Sequence, residues 1–307
     1  MGEFFALFSA VCFAAANVTI TRGVREGGQD NGAFLSILLT ALVAFAALLV
    51  AGNGAAGSAP DVSGLMWFAV AGVLTAFIGR VFLFASVQRI GAIRASAVKR
   101  LNPFFAVLLG VWVLGESVGG MMLPGMVLIF LSFALLAHDS LRAPQQASPG
   151  APKAHPLTFL ATLGNLGYLY GPISAFAYAW GYLARKQGLM HIPDPYLGTM
   201  VGAIAGTVAY LLAAAFLESY RKAVVNTFTR FNGWFMFTGM LASFGQLSYF
   251  VALQHSTVSR VALIVSMEVF LTIFFSVWIF RAREKLNALT VAAVCLGAAG
   301  SVLILVH

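Results

Sequence analysis

Charge is what this chain lacks. Its 18 Lys and Arg and 10 Asp and Glu make up only 9% of 307 residues, while 60% are hydrophobic. A soluble domain carries about 25% charged residues. With a mean hydropathy of +0.91, too little polar surface exists to cover so large an apolar content, which excludes a soluble enzyme or nucleic-acid binder. The two cysteines, Cys12 and Cys295, are too few and too far apart for a disulfide scaffold or a zinc site. Each falls in an apolar run and reads as a small packing residue. No HExxH, GxSxG or paired-aspartate motif lies in an apolar run, and no nucleotide-binding motif appears anywhere. That argues against an intramembrane enzyme or an ATP-driven pump. No cofactor or metal is expected, and no enzymatic activity.

What is present is apolar runs of membrane-spanning length. A helix needs about 20 residues to cross the hydrocarbon core, and ten such runs stand near 4–21, 33–51, 65–87, 93–114, 120–137, 168–186, 196–217, 233–254, 259–280 and 287–306. The first run carries Glu3 and no preceding basic residue, so it reads as a retained span rather than a signal peptide. The connection at 138–156 holds four of the ten prolines and reads as a linker that cuts the chain nearly in half.

The two halves resemble each other. Sliding residues 79–114 onto 245–280 pairs Gly79 with Gly245, Phe84 with Phe250, Gln88 with Gln254, Arg94 with Arg260, Phe104 with Phe270, Val111 with Val277 and Trp112 with Trp278. Apolar matches are cheap between membrane segments, but matching Gln, Arg and Trp are not. The first and sixth spans also align, Ser9-Ala10 falling on Ser174-Ala175, Phe13 on Tyr178 and Asn17 on Tyr182. Five spans per half is an odd number, so equivalent helices must cross in opposite directions. The expected fold is all-α: ten transmembrane helices as two inverted five-helix repeats, residues 1–137 and 168–307, joined by a loop at 138–167. Such folds support alternating access, with a substrate site near the midplane between the halves.

The run LNPFFAVLLGVWVLGE at 101–116 resembles the Pro-to-Leu-Gly-Glu signature that closes the fourth helix of EamA-type members of the drug/metabolite transporter superfamily. In the second half the pattern departs: Val269 stands in the proline's place, and Phe280 to Glu284 replace Leu-Gly-Glu. The resemblance covers essentially the whole chain. It implies a central cavity lined by the first four helices of each half, and secondary transport of a small metabolite without ATP.

Twelve basic residues collect on one side of the ten-span arrangement: Arg22, Arg25, Arg89, Arg94, Arg142, Lys153, Arg221, Lys222, Arg230, Arg281, Arg283 and Lys285. Three collect on the other: Arg185, Lys186 and Arg260. The positive-inside rule then places both termini on the non-cytoplasmic side, although many members of the family are described with both termini inside. The expected location is the inner (plasma) membrane.

A charge near the bilayer centre costs about 2.5–3.5 kcal/mol on insertion scales, so such residues face protein or water and suggest function. Arg80, Lys99, Arg100 and Glu268 are the charges inside spans. Arg80, Phe84 and Gln88 form one helical stripe, and their repeat partners Gln246, Phe250 and Gln254 form another. Lys99 and Arg100 either line the cavity or snorkel to the headgroups. Pro103 frees the carbonyl of Lys99 beside them. Glu268, opposite Asn102 in the repeat, either pairs with Arg80 or Arg100 or couples a proton or a substrate amine. Tyr178, Trp180, Tyr182 and Tyr249 stack on a ligand or simply pack. Asn17 is a lone polar residue of the first span.

Three cations against one carboxylate favour an anion or zwitterion, such as an amino acid or related carboxylate, and the expected direction is outward. In this reading Arg80 and either Lys99 or Arg100 hold the carboxylate, Glu268 is the proton or amine partner, and Asn102, Gln246, Tyr249, Trp180 and Asn17 complete the lining. The expected partners are the small substrate, the lipid bilayer and a proton or counter-substrate, with no nucleic acid and a monomer or homodimer as the assembly. The alternatives are an exporter of cationic or apolar drugs, a sugar-phosphate type of transporter, and a non-transporting membrane scaffold.

Overall fold

The computed structural model describes residues 1–25, 32–51, 61–90, 101–117, 120, 122–142, 166–278 and 288–305. Among them there is helix and no strand. The helices are α1 (Gly2–Arg25), α2 (Ala33–Ala51), α3 (Val62–Gly72), a π-helical stretch (Val73–Gly79), α4 (Arg80–Ile90), α5 (Leu101–Leu114), α6 (Met122–Arg142), α7 (Leu166–His191), α8 (Pro195–Phe216), α9 (Glu218–Thr229), α10 (Gly233–His255), α11 (Val258–Val265), α12 (Glu268–Trp278) and α13 (Ala288–Leu305). Six stretches are long and apolar enough to cross a membrane, and the described parts of α5 and α6 include shorter apolar helices.

Local chemistry starts these helices where the chain must turn. Asp194 accepts from the N–H groups of Tyr196 and Leu197 at 2.9 and 3.0 Å, with Pro195 at the first helical position of α8. Asn232 accepts from Trp234 and Phe235 to start α10, and Asp61 accepts from Ser63 to start α3. Each side chain satisfies backbone donors that have no partner within the helix.

The packing is inside-out relative to a soluble protein. Large apolar side chains such as Trp112, Val50, Leu212 and Phe274 lie exposed on the outside, whereas Arg80, Arg185, Gln246 and Glu268 are buried. An outer surface of this kind suits lipid, not water. Inside, α1 runs along α10, the α3–α4 series runs along α7, α2 packs on α8, and α6 packs on α13. α3 and α8 cross so closely that a side-chain carbon on Gly72 would collide with the backbone of Gly202, so only glycine fits there. Two buried serines tie the crossings: Ser9 Oγ donates to the Gly245 carbonyl at 2.8 Å, and Ser174 Oγ donates to the Gly79 carbonyl at 2.7 Å.

Some elements differ from the apolar-run reading. The sixth helix does not stop near residue 186 but runs to His191. The ninth run is not one helix, because it breaks at Ser266-Met267 between α11 and α12. The connection after residue 217 holds a further helix, α9, none of whose residues is buried.

Candidate functional site

The third span is distorted where it meets the core. Thr75 donates back to the Ala71 carbonyl at 2.8 Å, and from Val73 to Gly79 the chain winds as a π-helix. Such bulges sit frequently at functional positions. Arg80 follows at once and is buried. Its Nη1 donates to Ser36 Oγ at 3.0 Å and to Thr40 Oγ1 at 3.3 Å, both on α2, and Tyr178 on α7 hydrogen-bonds it as well. Thr40 is bonded in turn to Ser243 on α10 at 3.1 Å. The sequence left open an ion pair between Arg80 and Glu268; instead the partners of Arg80 are hydroxyls.

A second buried guanidinium stands beside this network, and the sequence reading did not find it. The charge count places Arg185 among the basic residues at the membrane edge, yet it is only 1% exposed. Because α7 extends beyond residue 186, Arg185 is inside the bundle and reaches back to the π-helical stretch. Its Nη2 donates to Thr75 Oγ1 at 2.5 Å. The Gln246 side chain, with its carbonyl oxygen turned to the guanidinium, accepts from Nη2 and from Nη1. The cation lies over the rings of Phe250, Tyr182 and Tyr249, at 4.6, 5.3 and 5.6 Å from their centroids. One signal was available: Tyr178, Tyr182 and Arg185 are spaced i, i+4 and i+7, one stripe of a helix.

Three tyrosines connect the two arginines. Tyr178 neighbours Arg80, its ring lies 5.9 Å from that of Tyr182, and Tyr182 stacks on Tyr249 at 4.2 Å. Tyr249 is fully buried, and its hydroxyl has no hydrogen-bond partner among the described residues. Asn102 is buried beside them; its Nδ2 donates weakly to Tyr182 Oη at 3.5 Å, and its Oδ1 has no partner among the described residues. Glu268 opens α12 immediately after the break, is buried, and lies within electrostatic range of Tyr249. The sequence-selected residues Arg80, Asn102, Gln246, Tyr249 and Glu268 are thus all buried in the bundle, and Arg185 joins them.

The others stand apart. Trp180 is half-buried, turned away from Tyr178 and Tyr182, and packs edge-on against Phe176 at 6.4 Å. Asn17 is half-buried on α1 and engaged by neighbours. Gln254 is half-buried and donates to the Pro193 carbonyl at 2.8 Å, pinning the turn between α7 and α8. Lys99, Arg100 and the Gln88 side chain lie outside the described residues.

At the end of the bundle that holds Met1, the Leu-Gly-Glu motif shows its structural use. α5 ends at Leu114, Gly115 takes a positive φ of 66°, and Glu116 curls back to donate its N–H to the Gly110 carbonyl at 3.1 Å. The Glu116 carboxylate then accepts from Val258 N at 2.7 Å, Ser259 N at 3.0 Å and Ser259 Oγ at 2.5 Å, capping α11. Lys186 Nζ donates to the Leu253 and Ser256 carbonyls, both at 2.8 Å, and caps α10. One residue from each half of the chain therefore holds the α10–α11 joint.

Buried cations with hydroxyl, amide and aromatic neighbours can bind and orient an anionic solute. No group of three metal-ligating side chains stands together among the described residues. The family model described as the EamA-like transporter family matches residues 1–137 and 165–306. No curated protein matches the chain. Among solved structures, one bearing the name "Crystal structure of protein" matches with a TM-score of 0.67 and 14% identity, over 98% of this chain and 94% of its own. That likeness shows a shared fold.

Proposed function

The chain belongs to the EamA-like transporter family, and from that premise we propose that it exports a small organic anion or zwitterion, such as an amino acid or related carboxylate, by alternating access. The moving parts are two inverted five-helix halves, 1–137 and 168–307, in the plasma membrane, with both termini on the non-cytoplasmic side. Two bonds support the pseudo-two-fold. Ser9 to Gly245 and Ser174 to Gly79 are the same contact made twice, between residues that the repeat alignment equates. The family model matching each half separately is a further support.

The substrate class rests on Arg80. A guanidinium buried at this depth, with hydroxyl partners and no carboxylate on it among the described residues, retains its charge for a ligand. Glu268, placed where a helix breaks and restarts, is the proton or substrate-amine partner in this reading. Broken helices at membrane depth commonly line such sites. Purified protein reconstituted in liposomes tests the reading directly. The native protein should move labelled amino acids or carboxylates, and Arg80→Gln should reduce that flux by about tenfold or more, the loss of one charged hydrogen bond. Undiminished flux in Arg80→Gln would contradict it.

A further inference from the structure

The two halves of the chain each bring one guanidinium to the centre: Arg80 from the third span and Arg185 from the sixth. Each is at least nine-tenths buried, and no carboxylate forms an ion pair with either among the described residues. Their electrostatic neighbours are Tyr178, Tyr182, Tyr249 and, for Arg185, the other arginine. Glu268 acts electrostatically on Tyr249, and no ion pair joins it to either cation among the described residues. Two like charges buried side by side repel each other and are costly unless something negative joins them.

Both groups keep donors to spare. An arginine has five N–H bonds. Arg80 gives Nη1 to Ser36 and Thr40 and a further donor to Tyr178, three acceptors for five N–H bonds. Arg185 gives Nη2 to Thr75 and shares Nη1 and Nη2 with Gln246, while its Nε–H has no partner among the described residues. Thr75, Gln246 and the three rings fix the Arg185 fork in place rather than neutralise it. A fork held this way is preorganised for a carboxylate or phosphate. Beside Arg185, the Tyr249 hydroxyl has no hydrogen-bond partner among the described residues, and neither has the Oδ1 of Asn102 next to Tyr182.

From this geometry we infer that Arg80 and Arg185 act together as a two-point site, and that the substrate is a small dianion carrying an acidic group for each. This rests on the anion reading given above and narrows it. One half of the protein binds each end of the solute, so an occupied site removes the repulsion between the halves and draws them together. Arg185 is then a specificity-determining residue that distinguishes two acidic groups from one.

The test is thermal stabilisation of the detergent-purified full chain by succinate, by butyrate of the same carbon length, and by inorganic phosphate, at a pH where succinate is doubly ionised. Succinate should bind roughly tenfold or more tightly than butyrate and more tightly than inorganic phosphate, which carries its charge on one group; phosphate preferred over succinate would overturn the requirement for two acidic groups. Arg185→Gln should erase the preference for succinate while leaving butyrate binding in place. Should Arg185→Gln not fold, Arg185→Lys keeps the charge without the fork and should weaken dianion binding more than butyrate binding. Butyrate stabilising as well as both dianions would overturn the two-point site and leave the anion reading standing. Stabilisation by none of the three anions, but by cations, would overturn both, and a dianion preference unchanged in Arg185→Gln or Arg185→Lys would remove Arg185 from the site.

Discussion

Gln246 shows what a single residue decides at this centre. Its carbonyl oxygen is the only side-chain acceptor besides Thr75 that the described residues offer Arg185. An amide satisfies a guanidinium without cancelling its charge, and that distinction carries function. Gln246→Leu should lower stability by about 1.5–3 kcal/mol, the worth of a hydrogen bond to a charged group, read as a drop in melting temperature. Gln246→Glu should behave in the opposite way, because a buried ion pair replaces an unpaired charge. The melting temperature should hold or rise while anion transport falls by about tenfold or more, a trade of activity for stability. A Gln246→Glu protein that transports normally would show that Arg185 need not remain free to meet an anion. At this scale the sequence was partly legible. Charged and amide side chains are few inside apolar runs, and that scarcity announced Arg80, Gln246 and Glu268. Arg185 was not legible, because a cation two residues from an apparent span end looks like a membrane anchor. Only the extension of α7 to His191 moves it inside.

Elements carry the next layer. The π-helical stretch Val73–Gly79 and the break at Ser266-Met267 both interrupt spans beside site residues, Arg80 in one case and Glu268 in the other. Neither interruption has a proline or a strong composition mark, so an apolar run of the right length conceals it. Helix ends were more readable: Pro195 after Asp194, and the Leu-Gly-Glu motif, are recognisable punctuation. The use of Glu116 was not readable, since its partners Val258 and Ser259 lie 142 and 143 positions away. That carboxylate replaces a local cap for α11, and Thr257 adds only a longer bond to Arg260 N at 3.3 Å. Glu116→Ala should therefore cost about 0.5–2 kcal/mol, the range for losing a helix cap, measurable as a lowered melting temperature. Equal stability of variant and native protein would show that water caps α11 as well as the carboxylate does.

At the scale of the whole molecule, an apolar exterior surrounds a polar seam. The membrane character was legible from composition alone, because a 9% charged chain has no other way to be stable. Membership of the EamA-like transporter family follows from the match to both parts of the chain. The seam itself lies where α1, α2, α4, α7, α10 and α12 meet, and it gathers hydroxyls, tyrosines and two arginines that are scattered in sequence from Ser36 to Glu268. Long-range convergence of this kind leaves little trace in a single sequence, and the repeat alignment supplied what there was. Moving Arg185 from the membrane edge to the interior leaves Lys186 and Arg260 opposite the twelve basic residues of the other side, which strengthens the charge bias behind the proposed orientation.

The most direct measurement is the melting temperature of the detergent-purified protein across a panel of organic anions, zwitterions and cations, repeated with Glu268→Gln. A ligand at a hundred times its dissociation constant stabilises the native state by about 2.7 kcal/mol, well within reach of the method. The account predicts that anions or zwitterions raise the melting temperature, that cations do not, and that anion stabilisation survives Glu268→Gln. Stabilisation by cations alone, lost in Glu268→Gln, would mean that Glu268 and not the arginines recognises the substrate.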